Sequence, residues 1–379
     1  MAHAPRLHDT AALEVIRKHA ARTRVITAHG RPTTPPTRKM PFIASTYKSP
    51  IHLGAHFETI FPSYFLKEED VEYQRERIDL PDGDFLYLDW ARCDKPTDEL
   101  MVICHGLCGN THRHYCLSMV HAFRKAGIDC LAWNYRGTGI VENRTLRFTC
   151  NNSTDDLHQV VMHAIRCGYK KIYLGGFSMG ANLIILYLGR ELKVIPDEVM
   201  GGVGFCAPID GPASIQTSHK ALFGIYEKHF LEKLKEKVQE VARNFPEFDA
   251  TEALNARNFT EFDESFTART MGFRGAQDYY VTASAVRYLG QIDRPTLLVN
   301  PKNDPLLGGD SHPVNEARES KFFYLETPED GGHCGFLTPK GQEWWPAARA
   351  RQFILETVRN SAHRGTPQAQ EKPVQPKEG

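Results

Sequence analysis

The feature that most constrains this chain is an alternation. Apolar runs of strand length are separated by stretches with helical spacing. LMVICHG, IDCLAWNY, KIYLGGF, GGVGFCAP, PTLLVNPKN and KFFYLET read as strands. Between or beside them Ser118 to Lys125, Asp155 to Arg166, NLIILYLGREL and Trp344 to Arg359 read as helices, the second with Ser153 or Thr154 as N-cap. Strands that are apolar along their whole length are buried on both faces, so the pattern predicts an α/β fold: a mostly parallel central sheet with helices on both sides. VEYQRERIDL and DFLYLDWAR, joined by Pro81-Asp82-Gly83, predict an antiparallel hairpin ahead of it. From Asp210 to about Gln291 no strand is readable and helical patterns such as EKHFLEKLKEKVQEVARNF take over. An insertion of that size predicts a helical cap, about 210–291, over the edge of the sheet where ligands bind in such folds.

Residues 1–40 read as an N-terminal extension, with a short amphipathic segment at Ala11–Ala21 and a Pro/Thr-rich linker. The domain spans 41–360, and the polar tail 361–379 has the composition of a disordered segment. Lys plus Arg and Asp plus Glu are both 46, so the net charge of +0 gives no argument for nucleic acid or an anionic membrane as partner. No apolar run is long enough for a transmembrane segment. Nine cysteines, with no CxxC pair, suit a reducing compartment, and the expectation is a cytoplasmic protein. Oligomeric state is not readable.

The chemistry is concentrated at Gly175 to Asn182, GGFSMGAN, between a strand and a helix. G-x-S-x-G at such a junction puts a serine on a sharp turn with its Oγ free, and the helix N-terminus faces developing negative charge. A tight packing junction would use the same small residues; the strand–turn–helix context favours Ser178 as nucleophile. A serine needs a base, and the base needs an orienting acid. In the chain order Ser, acid, His, the candidates are Asp304 in VNPKNDPLL and His333 in EDGGHCGF. Asp210, after GFCAP, is a rival acid. The oxyanion donors expected are the backbone N–H groups of Met179 and of Leu107 in the loop His105-Gly106-Leu107-Cys108-Gly109. His105 itself is read as a structural residue that hydrogen-bonds this loop.

The chain resembles the α/β-hydrolase superfamily, and within it the YheT-like serine hydrolases. PFIASTYKSPIHLGAHFETIFPS, HGLCGN, NYRGTG, GFSMGAN, FDESFTA with GFRGAQDYY, NDP and GGHCGF carry the resemblance in order, over roughly 41–358. His56-Phe57-Glu58-Thr59 stands where that group usually has His-Leu-Gln-Thr. The resemblance implies Ser178, Asp304 and His333 as nucleophile, acid and base of an enzyme that cleaves carboxylic esters, short or medium acyl or lipid-like, without a cofactor. Acyl transfer to an alcohol through the same residues and a catalytically silent binding protein are the alternatives. Other residues are read as bland. His105, His112 and His114 lack a completing Cys pair or carboxylate for a metal. Arg136 is a solvated or salt-bridged loop residue, and Asp155 and Asp156 are first-turn acids of a helix. Tyr279 and Tyr280 either line an acyl pocket or pack in the core. Cys108 and Cys334 are small fillers beside the site, close enough that bulky thiol reagents should slow the enzyme.

Overall fold

The computed structural model describes residues 42–138 and 143–362. The Ala11–Ala21 segment, the Pro-rich linker and the tail beyond residue 362 lie outside the described residues. Nine strands form one sheet in the order β1-β9-β8-β7-β6-β4-β5-β3-β2. They are β1 (Phe42–Ile43), β2 (Gln74–Asp79), β3 (Phe85–Ala91), β4 (Glu99–Cys104), β5 (Asp129–Asn134), β6 (Lys171–Phe177), β7 (Val199–Phe205), β8 (Thr296–Val299) and β9 (Phe323–Glu326). All neighbours run parallel except β2–β3 and β3–β5, so the antiparallel hairpin sits at one edge.

Period-two alternation explains why the central strands are apolar on both faces. On β4 Leu100, Val102 and Cys104 enter one core, while Met101 and Ile103 enter the other. Leu131 and Trp133 of β5 join the first core, and Cys130 and Ala132 the second. Helices α1 (Ala55–Phe65), α2 (His114–Lys125), α3 (Thr154–Arg166) and α4 (Met179–Arg190) precede or connect the central strands. In α4 every residue from Met179 to Gly189 is buried. Full burial of each such Leu or Ile contributes about 1.5–3 kcal/mol.

Two readings are corrected. Helix α2 begins at His114, not Ser118; its first residue follows Arg113, which makes no side-chain cap bond, so the start carries no sequence signal. Ser153 occupies the N-cap of α3, but its Oγ accepts from Cys150 N–H rather than capping the helix. For Arg136 the salt-bridged reading holds, and the side chain is buried rather than solvated. Its side chain is 2% exposed and donates to both oxygens of Asp156 at 2.9 and 2.7 Å, to Asp82 at 2.7 Å and to Asp84 at 3.1 Å. Asp156 therefore does more than favour a helix start. The network ties the β2–β3 turn to the end of β5 and the start of α3.

Between β7 and β8 the chain is helical. Helices α5 (Gly211–Lys220), α6 (Ile225–Asn244) and α7 (Ala276–Thr282) are joined by shorter turns of helix. On α6 the buried residues Leu231, Leu234 and Val238 recur at helical spacing and pack on Phe259, Phe262 and Phe266. Leu107 and Phe148, from loops beyond β4 and β5, pack against this cluster, so the helical insert rests on the C-terminal side of the sheet.

Arg136→Ala strands two buried carboxylates. It should lower unfolding free energy by about 3–5 kcal/mol. Asp155→Ala, at a half-exposed side chain, should change it by less than about 0.5 kcal/mol. Urea unfolding of both variants checks this; equal effects would contradict the network's importance.

Candidate active site

Strand β6 ends in Gly175-Gly176-Phe177 and turns into α4 at Ser178. The turn is strained: Ser178 has φ 54 and ψ −120. Two glycines make it possible. A Cβ on Gly176 would lie 2.5 Å from Gly180 O, and one on Gly180 would lie 2.3 Å from Cys104 O. Ser178 N–H donates to Phe205 O at 2.9 Å, which anchors the turn to β7.

Asp304 follows β8 and His333 follows β9, so both reach the same edge of the sheet as Ser178. His333 Nε2 lies 2.9 Å from Ser178 Oγ, and Nδ1 lies 2.8 and 3.0 Å from Asp304 Oδ2 and Oδ1. The Asp304 side chain is fully buried and its Oδ1 also accepts from Leu306 N–H at 2.9 Å. Burial works to lower the His333 pKa, but the Asp304 carboxylate, with Cys334 beside the ring, outweighs it and raises the value from 6.5 to about 9. The neutral imidazole that can accept a proton therefore grows as pH rises toward that value. With Asp304 on Nδ1, the nitrogen facing Ser178 is free to take a proton.

Gly106 lies against the serine, since a Cβ there would sit 3.3 Å from Ser178 Cβ. Among the described residues, the N–H groups of Leu107 and Met179 donate to no protein acceptor. His105 holds the loop: it is buried and its Nδ1 lies 2.8 Å from Gly106 O. Burial drives its pKa down to about 4, which keeps it neutral. Asp210, the rival acid, caps α5 through Ala213 N–H and accepts from Asp310 N–H. His112 pairs with Asp70, and His114 packs on the Tyr115 and Trp344 rings.

Reading the sequence missed the role of Glu58 and Thr59. They lie at the start of α1, far from the histidine in sequence, and clamp its loop. Glu58 is fully buried; its Oε2 accepts from Asn303 Nδ2 at 2.9 Å and Gly331 N–H at 3.0 Å. Thr59 Oγ1 accepts from His333 N–H at 2.9 Å. Gly335 packs so closely that a Cβ there would meet Glu58 O at 1.7 Å. The signal was Glu58 itself, an acid between Phe57 and the Ile60-Phe61 pair, at a place where the resembled group usually has Gln.

A cleft of about 1000 Å³, counting its open mouth, runs from Ser178 and His333 beneath the helical insert. Its wall is mainly apolar and aromatic and includes Ile215, Phe230, Leu234, Phe259 and Phe262. Tyr279 and Tyr280 line it and also pack with Ala276 and Ala283 in a small core. The Tyr280 hydroxyl donates to Asp263 at 2.7 Å. Among the described residues no helix is long and apolar enough to cross a membrane.

A family model described as alpha/beta hydrolase fold matches residues 99–340. YheT of Escherichia coli (strain K12) is 28% identical over 293 residues, covering 75% of this chain and 84% of that protein. Phospholipase ABHD3 of Mus musculus is 28% identical over 290 residues, covering 74% and 70%. Among solved structures, the Pyrococcus furiosus esterase Pf2001 superposes with a TM-score of 0.50 at 18% identity, covering 76% of this chain and 92% of that one. That last likeness concerns the fold.

Glu58→Ala should lower kcat at least about tenfold by loosening the histidine loop, with KM changed less. Glu58→Gln keeps an acceptor for Gly331 N–H and should retain most of the rate. Equal kinetics for the two variants would show that the clamp does not position His333.

Proposed function

The chain belongs to the α/β-hydrolase family, and on that premise we propose that it is a serine hydrolase of carboxylic esters with an apolar, lipid-type acyl chain. The observation that carries the reading is the 2.9 Å approach of His333 Nε2 to Ser178 Oγ, with Asp304 behind the ring at 2.8 Å.

Each group has one task. Ser178 Oγ attacks the ester carbonyl while His333 takes its proton. Asp304 fixes the tautomer and stabilises the imidazolium. The carbonyl oxygen becomes an oxyanion beside the N–H groups of Leu107 and Met179. The alcohol leaves with the proton from His333, and the acyl group stays on Ser178. Water then attacks that acyl-enzyme, giving up its proton to His333, and the acid departs as Ser178 is reprotonated. The apolar wall of the cleft suits a hydrocarbon acyl chain. The mouse relative's name as a phospholipase agrees with that substrate class.

Ser178→Ala should reduce hydrolysis of p-nitrophenyl esters by more than about 10³-fold, while the protein unfolds at an unchanged urea concentration. With the wild type, esters of graded acyl length should give a kcat/KM that rises from acetyl to medium chains. Unchanged turnover in Ser178→Ala would refute the mechanism. A preference for acetyl would refute the apolar chain.

A further inference from the structure

Two cysteines stand beside His333, and the ester chemistry gives them no task. Cys206 ends the run after β7 and is fully buried; Cys334 follows the histidine and is partly exposed. They are 128 residues apart in the chain. Yet one donor atom from each of Cys206, Cys334 and His333 lies within 4.8 Å of the other two. We propose that these three side chains form a zinc site, and that a bound zinc ion switches the hydrolase off. The inhibitory half rests on the function proposed above; the site itself does not.

Donor type, distance and backbone all bear on this. Two thiols and an imidazole are the soft donors that select zinc over magnesium or calcium. A tetrahedral zinc, with bonds of about 2.0–2.3 Å, keeps its donors about 3.4–3.8 Å apart. Donors already within 4.8 Å need to close by only about 1 Å, within reach of side-chain rotation. Both cysteines are held in the left-handed region, with φ 55 at Cys206 and φ 60 at Cys334. That backbone aims two distant side chains at one point. Cys206 Sγ accepts Cys334 N–H at 3.1 Å, so the two residues already touch.

Binding would release to solvent the two thiol protons and, where the ring is charged, one imidazolium proton, and form two Zn–S bonds and one Zn–N bond, leaving the fourth position to water or the Ser178 hydroxyl. Neither ring nitrogen of His333 is idle. Taking Nε2 removes the base from Ser178, and taking Nδ1 removes the ring from Asp304. Either bond stops proton transfer, so occupancy and hydrolysis exclude each other. Cys334 and His333, both partly exposed, offer the route in.

The test uses the full chain, reduced and stripped of metal. Zinc affinity is read by competition with a chromogenic chelator, and the ligand type by cobalt(II) absorption. The expected result is one zinc per chain, a thiolate-to-cobalt charge-transfer band, and ester hydrolysis that falls with occupancy and returns on chelation. Magnesium at the same concentration should have no effect. Cys334→Ala and, separately, Cys206→Ala should each weaken zinc binding at least about 100-fold, more than the loss typical of an outer-shell partner. Each variant's inhibition is judged against its own metal-free rate. Wild-type zinc affinity in either folded variant, or cobalt binding without the thiolate band, would overturn the site. Full hydrolysis at full occupancy would overturn the inhibition. The cobalt band and the chelator competition need no turnover, so they decide the site even if no ester is cleaved.

Discussion

The structure turns on a backbone contact at the end of β6. Gly176 and Gly180 let the strand, the turn and α4 approach one another, and α4 approach β4, at distances no Cβ would allow. That contact holds Ser178 in a left-handed conformation and lifts its hydroxyl out of the sheet. The cost of the strained turn is of order 1–3 kcal/mol. It is offset by the burial of α4, whose apolar residues fill one side of the sheet. Core and serine turn are therefore a single packing problem. A larger residue at either glycine would move the serine and the helix together.

A second set of constraints acts from the far end of the sheet. The histidine loop contains several residues with positive φ, including Gly331, Gly332, Cys334 and Phe336. Within the loop, the Gly335 and Phe336 N–H groups donate to Gly331 O. Glu58 and Thr59 add an outside anchor through hydrogen bonds to Gly331 N–H and His333 N–H. Asn303 links this clamp to the aspartate loop, because it donates to Glu58 and accepts from Gly332 N–H. One buried carboxylate thus couples the loops that carry Asp304 and His333. The same loop brings Cys334 onto Cys206, whose Sγ accepts its N–H at 3.1 Å.

The fold class was legible because strands buried on both faces are apolar along most of their length, as residues 100–104 of β4 and 130–133 of β5 are. The hairpin was legible from its turn and its alternation. The start of α2 was not, because Arg113 offers no cap. Helix α1 was hidden for a related reason. It follows Gly54 with no side-chain cap, contains Pro62, and stacks Phe57, Phe61 and Phe65 along a largely exposed face. The two-residue β1 is too short for any periodicity. At the site, residue types and chain order could be read from Ser178, Asp304 and His333, since each follows a strand. Contacts across long separations could not: Glu58 with Gly331, Cys206 with Cys334, and Arg136 with Asp82 and Asp156 exist only once the sheet has formed.

The most direct measurement is peptide mass spectrometry of the protein after reaction with a fluorophosphonate, which captures a serine only where a base activates it. The adduct should fall on the peptide containing Ser178 and disappear from His333→Ala, although Ser178 itself remains. An adduct on another serine, or undiminished labelling of Ser178 without the imidazole, would contradict the assignment of nucleophile and base.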